Sequence, residues 1–264
     1  MAAEPAPAEL SEYPLVESRS VGAYRMIAFV SREIAESAKP GQFIMARSAG
    51  PSLDPLLPRP LGIHDIDAEL VRAVIEPVGK GTRDLAELSV GDRLSVLGPL
   101  GNGYDIKSDY PALVVGGGIG IAPLAFLARR LVERGREVRC LLGFRTRSQA
   151  VSAELFRDYN IDIYTEDASI GTGGLVSEPL SGFLSDPAGI WGAGGAEVFA
   201  CGPTAMLKAI ARITRQHGKR CQVSAEAHMA CGIGSCQGCV VPATNGYSRV
   251  CREGPVYEAG DLEW

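Results

Sequence analysis

The sequence is poor in the residue types that usually carry acid–base chemistry. It has three histidines, His64, His217 and His228, among 264 residues. No paired carboxylates and no Ser/His/Asp constellation stand out, which argues against an enzyme that performs its own substrate chemistry. It also lacks excess positive charge. A net charge of −5 leaves no electrostatic footprint for nucleic acid or an anionic membrane surface. An uninterrupted apolar span is missing too. The stretch "PALVVGGGIGIAPLAFLA", residues 111–128, has 18 residues without a charge. Gly116, Gly117 and Gly118 break it after a four-residue apolar run, and Pro123 follows, so strand, glycine turn and helix fit better than a membrane span. The opening "MAAEPAPAE" has neither a basic n-region nor an apolar h-region and reads as a frayed tail, not a signal peptide. A soluble chain of cytoplasmic type is expected.

Cysteine is plentiful instead. There are seven, an odd count with four crowded into 21 residues, which argues against a disulfide framework. Cys140, Cys201 and Cys221 lie scattered among apolar residues and read as small core residues. The other four are Cys231, Cys236, Cys239 and Cys251, spaced C-x4-C-x2-C-x11-C. The first three match plant-type [2Fe–2S] spacing, whereas structural zinc usually takes two separated Cys-x-x-Cys knuckles. Gly232, Gly234 and Gly238 suit a loop that curls around a cluster, because glycine reaches positive φ without strain. "VVPATNGYSRV" reads as strand, Asn-Gly turn and strand, a hairpin that folds Cys251 back onto the loop. A zinc knuckle and unliganded thiols are the alternatives. Only about 40 residues surround the four cysteines, too few for an independent domain, so this unit must lean on the rest of the chain.

From about residue 108 strands and helices alternate: "PALVV", "IAPLAFLARRLVERG", "EVRCLLGF", "IDIYTED", "AEVFACGP" and "TAMLKAIARITRQHG". That alternation indicates an open, mostly parallel α/β sheet, which binds ligands at the carboxyl ends of its strands. Two of those ends are rich in glycine. "VVGGGIGIAP" opens a helix and offers backbone N–H groups to a pyrophosphate, and "FACGPTAML" ends a second strand with similar chemistry. Residues 19–104 look all-β, with five or six short runs separated by Pro/Gly turns, which suggests a small antiparallel barrel. Within it, "RPLG" at 59–62 and "GKGT" at 79–82 are candidate phosphate anchors, Arg59 supplying a fixed positive fork. Each of these stretches, taken singly, is also compatible with an ordinary turn.

Together "RPLG", "GKGT", "GGGIGIAP" and "CGP", in that order, resemble the ferredoxin–NADP reductase superfamily. The C-terminal "HMACGIGSCQGCVVP…VCREGPVY" narrows the resemblance to the electron-transfer subunits of NAD-linked type B dihydroorotate dehydrogenases, and it covers nearly the whole chain from residue 12. "GPLGNGY" (98–104) and "EDASIGTGGLV" (166–176) also look like stretches of that subunit. The resemblance implies a β-barrel plus α/β fold: an antiparallel flavin-binding barrel (12–106), a parallel-sheet nicotinamide-binding domain (107–222) and a small C-terminal [2Fe–2S] subdomain (223–264). It implies FAD held by Arg59, Pro60, Leu61 and Gly62, with Val74, Ile75 and Glu76 along the flavin and Gly81 and Thr82 on its phosphates. Gly62 departs from the more usual serine, and Leu61 offers no aromatic ring to stack. NAD would meet Gly117, Gly118, Ile119 and Gly120, with Cys201, Gly202 and Pro203 approaching the nicotinamide, and the four clustered cysteines would hold the irons. The implied partner is an FMN-containing, dihydroorotate-oxidising subunit, two of each chain forming a heterotetramer in pyrimidine (UMP) biosynthesis. A related flavin/iron–sulfur subunit serving a ferredoxin, a hydrogenase or another dehydrogenase is the nearest alternative. A zinc-stabilised module without redox chemistry is the alternative of a different class.

Overall fold

The computed structural model describes residues 10–50, 54–186, 188–192 and 195–264, and the N-terminal nine residues lie outside the described ones. Six strands close a barrel: β1 (Leu10–Val21), β2 (Tyr24–Val30), β3 (Phe43–Ser48), β4 (Arg59–Asp67), β5 (Leu70–Ile75) and β6 (Arg93–Leu100). Their order around it is β1-β2-β5-β4-β3-β6, every pair antiparallel. Closure leaves no free edge. Alternate residues fill the interior, among them Ile27, Phe29, Ile44, Ile63, Val71 and Ile75. Two short helices, α1 (Arg32–Ser37) and α2 (Lys80–Ala86), cover strand connections. β1 hides from sequence reading because Pro14 and a bulge between Leu15 and Glu17 break its alternation. Only Leu15 and Val21 of it are buried.

The second unit is a seven-stranded sheet built from β7 (Ala112–Gly117), β8 (Val138–Phe144), β9 (Ile161–Thr165), β10 (Thr172–Gly173), β11 (Glu197–Cys201), β12 (Arg220–Ser224) and a late strand. The helices are α3 (Ile121–Glu133), α4 (Arg147–Ala150), α5 (Leu180–Ser185) and α6 (Thr204–Gln216). The order runs β10-β9-β8-β7-β11-β12, with parallel pairing throughout. The chain winds outward from β7 in one direction and then returns to its other side at β11. This makes the crevice between β7 and β11 the topological switch point, where sheets of this kind bind ligands.

After β12 the chain forms the cysteine loop. A hairpin follows, β13 (Val240–Ala243) and β14 (Gly246–Arg249), and then β15 (Val256–Glu258), which adds to the sheet antiparallel to β12. The hairpin expected between the third and fourth cysteines is present. Its two-residue loop is Thr244-Asn245, one residue earlier than Asn-Gly, with Gly246 at φ +108°. One apolar core runs through all three parts, uniting Phe43, Met45 and Leu100 of the barrel, Val115 and Val198 of the sheet, and Cys239 and Cys251. "GPLGNGY" acts as a clasp. Asn102 N–H donates to the Gly254 carbonyl (2.6 Å), its side-chain amide donates to the Glu253 carbonyl (2.8 Å), and the Tyr104 hydroxyl donates to the Ala200 carbonyl (3.1 Å). Gly101, at φ +71°, leaves room for Pro255, whose Cδ a side chain there would approach to 2.5 Å.

Candidate functional site

Three of the predicted stretches meet at the switch point. Gly118 takes φ +54° in the 3-10 turn that leads into α3. Gly120 is pressed so closely against the end of β11 that an added Cβ would lie 2.6 Å from the Cys201 carbonyl oxygen. Gly117 likewise faces Met206 and Pro203, so only glycine lets these two strand ends touch. With Gly143, Arg145 and Glu166 from neighbouring strand ends, Gly117, Gly118, Ile119, Gly120, Gly202 and Pro203 line a cavity of ≈ 710 Å³. Gly174, Leu175 and Val176, from the second flagged stretch, close its far side.

A second cavity of ≈ 330 Å³ opens between barrel and sheet, lined by Pro60, Leu61, Gly62, Val74, Glu76 and Thr82 on one side and Ile119, Gly120 and Cys201 on the other. Gly62 has its own reason to lack a side chain, since a Cβ there would meet Pro123 of α3 at 3.0 Å. Strand alternation turns the Ile75 side chain into the barrel core, where it is fully buried, and leaves its backbone between Val74 and Glu76, which line the cavity. Arg59 lies in a third cavity of ≈ 320 Å³ beside Gly81. Its guanidinium sits on Gly81 so tightly that an added Cβ would be 2.5 Å from Nε. The Thr82 hydroxyl accepts the Gly79 N–H (2.9 Å) and fixes the turn that starts α2. A cation seated on a helix start beside an apolar slot fits a pyrophosphate and an attached flat ring.

The cysteine loop brings its four thiols together as two pairs. Cys239 and Cys251 Sγ lie 3.2 Å apart. The Cys236 N–H points at Cys231 Sγ (3.4 Å), and the side chains of these two residues also touch. Further N–H groups aim at sulfur: Gly234 at Cys251 (3.1 Å), Gly238 at Cys236 (3.4 Å) and Cys251 at Cys239 (3.5 Å). Burial raises the Cys231 thiol pKa, but N–H groups of Cys236, Ile233 and Ser235 outweigh it and bring it to about 6. Burial and the neighbouring Cys239 push Cys251 up to about 12. Two pairs suit a two-iron cluster, in which each iron takes two thiolates. Gly232 and Gly234 do adopt positive φ (+73° and +83°), but the third left-handed residue is Gln237 (+59°), not Gly238. Gly232 is also wedged against Met45, 2.5 Å from where a Cβ would sit. His228, beside the loop, is exposed and makes no hydrogen bond to a described residue. Cys140, Cys201 and Cys221 are buried as expected, and burial pushes the thiols of Cys140 and Cys221 up to about 12.

Sequence reading missed Glu226, Val78, Met229 and Pro255, which also line the cavities. The signal lay in "RCQVS". Read as a strand beside β11, it places "AEAHM" at a carboxyl end, over the switch point.

A closed antiparallel barrel feeding a switch-point sheet defines the flavin-reductase class of electron-transfer proteins. The NADH-dependent reduced ferredoxin-NADP oxidoreductase, studied for flavin-based electron bifurcation, superposes with a TM-score of 0.83 at 28% identity, covering 96% of this chain and 90% of its own. The ferredoxin reductase in carbazole 1,9a-dioxygenase gives 0.68 at 21%, covering 81% and 68%. The family model for the iron–sulfur cluster binding domain of dihydroorotate dehydrogenase B matches residues 226–263. The electron transfer subunit of dihydroorotate dehydrogenase B (NAD(+)) from Geobacillus kaustophilus is 37% identical over 262 residues, 93% of this chain and 98% of its own length. That from Fusobacterium nucleatum is 36% identical, covering 87% and 89%. The chain belongs to this family of dihydroorotate dehydrogenase B electron transfer subunits. It is a component of an oxidoreductase that works with a catalytic partner, and its C-terminal segment is an iron–sulfur cluster binding domain.

Proposed function

We propose that this chain carries electrons between NAD(H) and an FMN-containing, dihydroorotate-oxidising subunit, through FAD in the ≈ 330 Å³ cavity and a [2Fe–2S] cluster on Cys231, Cys236, Cys239 and Cys251. The observation that carries the reading is continuity. Phe43 and Met229 both line the flavin cavity and pack in the core that holds Cys239 and Cys251, while Glu76, Val78, Ile119, Gly120 and Glu226 line both it and the larger cavity. FAD, when bound, exchanges a hydride with nicotinamide and single electrons with a [2Fe–2S] cluster.

The chain's residues supply placement. Arg59, Gly81 and Thr82 hold the FAD pyrophosphate, and Pro60, Leu61, Gly62, Val74 and Glu76 flank the ring. Gly117, Gly118, Ile119 and Gly120 take the NAD pyrophosphate on backbone N–H groups. Cys201, Gly202 and Pro203 close over the nicotinamide, and the Cys201 thiol stays protonated because burial raises its pKa far above neutrality. Glu166, at the end of β9 and on the wall of the larger cavity, suits the ribose 2′-hydroxyl of NAD. Of the two arginines that follow β8, Arg145 lines the larger cavity, whereas the Arg147 guanidinium donates to the Ser169 carbonyl (Nη2, 2.6 Å; Nε, 3.0 Å). We place the subunit in a cytoplasmic heterotetramer of two of each chain, serving pyrimidine biosynthesis. Among the described residues no helix is long and apolar enough to cross a membrane.

The test uses the pure chain loaded with flavin and iron–sulfur. NADH should reduce artificial dyes through it, flavin released from it should be FAD, and dihydroorotate should be turned over only after the catalytic subunit is added. Dihydroorotate oxidation by the chain alone, or release of FMN only, would overturn the reading.

A further inference from the structure

The seam shared by the ≈ 710 and ≈ 330 Å³ cavities carries two charged side chains among the described residues, both carboxylates. Glu76 follows β5 of the barrel, and Glu226 lies two residues beyond β12 of the sheet. Both line both cavities, so a nicotinamide ring entering from one side meets a flavin ring on the other between them. Among the described residues no lysine, arginine or histidine lines the seam. The one basic residue of the larger cavity, Arg145, stands after β8 with Gln149 and Glu166. Neither carboxylate forms an ion pair or a side-chain hydrogen bond with a described residue, although acidic side chains elsewhere are widely paired, as at Glu17, Asp65, Asp162 and Glu197. Glu226 keeps an exposed face, yet desolvation by the packed cavity wall, and then the charge of Glu76, push its pKa up, in line with two like charges on one seam.

We propose that Glu76 and Glu226 make the seam select the oxidised nicotinamide, whose ring is cationic, over the reduced one, whose ring is neutral. This deepens the function proposed above and rests on its assignment of the larger cavity to the dinucleotide. A hydride arriving at the ring brings two electrons and a proton and cancels its positive charge. The attraction to both carboxylates ends at that moment, so the product is held less tightly than the substrate. At the partly screened separations of such a seam, each carboxylate favours the cationic ring by about tenfold in affinity.

The test measures binding to the FAD-loaded full chain with three probes: NAD+, its redox-inert 1,4,5,6-tetrahydro analogue with a neutral ring, and ADP-ribose with no ring. Wild type should bind NAD+ on the order of a hundredfold more tightly than the tetrahydro analogue, and Glu226→Gln and Glu76→Gln should each erase about tenfold of NAD+ affinity. Affinities for the tetrahydro analogue and for ADP-ribose should stay within about twofold. Flavin absorbance checks that each variant retains FAD, and Glu226→Gln carries the test alone if Glu76→Gln loses it. An unchanged ratio of NAD+ to tetrahydro analogue in a flavin-replete variant overturns the proposal while the dinucleotide site stands. Failure of ADP-ribose to bind wild type overturns the site assignment itself.

Discussion

The two ends of the parallel sheet handle charge in opposite ways. At the amino ends Glu197 is buried and saturated. It accepts from Arg136 Nη2 (2.9 Å), Arg220 Nη1 (2.8 Å) and the Ser108 hydroxyl (2.6 Å). Arg220 in turn bridges Glu258 (Nε, 2.9 Å) and Asp105 (3.1 Å), which ties the linker from the barrel to the strand that follows the cysteine loop. Its pKa rises further, first because of Glu258. At the carboxyl ends there are glycines, a buried thiol and, on the seam between the two cavities, carboxylates with no cation beside them among the described residues. One end is closed within the protein. The other is left electrostatically incomplete, which is what a site needs if the ligand is to supply the missing charge.

The contrast is tested most severely at Glu197. Glu197→Ala leaves Arg136, whose side chain is 1% exposed, buried without its counter-charge, and breaking a buried pair in this way costs about 3–5 kcal/mol. Glu226→Ala should change stability by no more than about 0.5 kcal/mol, because no described residue forms an ion pair or side-chain hydrogen bond with it. Urea unfolding of both variants reads the difference. Equal losses would mean that the carboxyl end is also closed within the protein.

A smaller effect distinguishes packing at the switch point from packing elsewhere. Gly120→Ala drives a methyl into the Cys201 carbonyl and should cost about 1–3 kcal/mol, with loss of ADP-ribose binding and retention of the iron. Gly135→Ala, at φ +76° with nothing within 4 Å, should cost about 1 kcal/mol of backbone strain and leave binding intact. Calorimetry and iron analysis separate the two. Dinucleotide binding unaffected by Gly120→Ala would detach the glycine turn from the site.

The contrast reads unevenly in the sequence. The glycine-rich strand ends, the barrel class and the four cysteines are local signals, carried by residue type and spacing within about a dozen positions. The carboxylate seam is not local. Glu76 and Glu226 are 150 positions apart, and Glu226 becomes meaningful only once β12 is recognised. That strand is five residues long and opens with Arg220, with Cys221 and Gln222 masking its apolar alternation. Within the run 74–76 the period of the strand is what the sequence leaves unstated: the Ile75 side chain enters the barrel core while Val74 and Glu76 line the cavity. The Arg136–Glu197–Arg220 network was invisible for the same reason as the seam, since charged residues at strand starts look like ordinary solvated ends until the fold buries them.

The smallest predicted effect is a pH dependence at the barrel–sheet contact. His64 is buried, with Nδ1 2.7 Å from the Ala122 carbonyl at the start of α3, and burial lowers its pKa below the ordinary 6.5. A depressed histidine contributes stability that is complete above its unfolded pKa and is lost as pH falls through the folded one. Thermal midpoints should therefore hold above pH 6.5 and decline below it, more shallowly in His64→Gln. A decline of equal slope in that variant would assign the titration to other groups.

The most direct test of the electron route lies in the two kinds of cysteine. Cys251 and Cys221 are both nearly fully buried, but only Cys251 sits 3.2 Å from a second thiol of the cluster loop. Cys251→Ser should abolish or distort the low-temperature paramagnetic signal of the reduced cluster. It should leave FAD in place, because every proposed barrel contact lies before residue 83, and dye reduction by NADH should survive while electron delivery to the catalytic subunit fails. Cys221→Ser should lose stability and keep the signal. An undisturbed signal in the Cys251 variant, or a missing one in a folded Cys221 variant, would contradict the assignment of the four ligands and the route drawn through them.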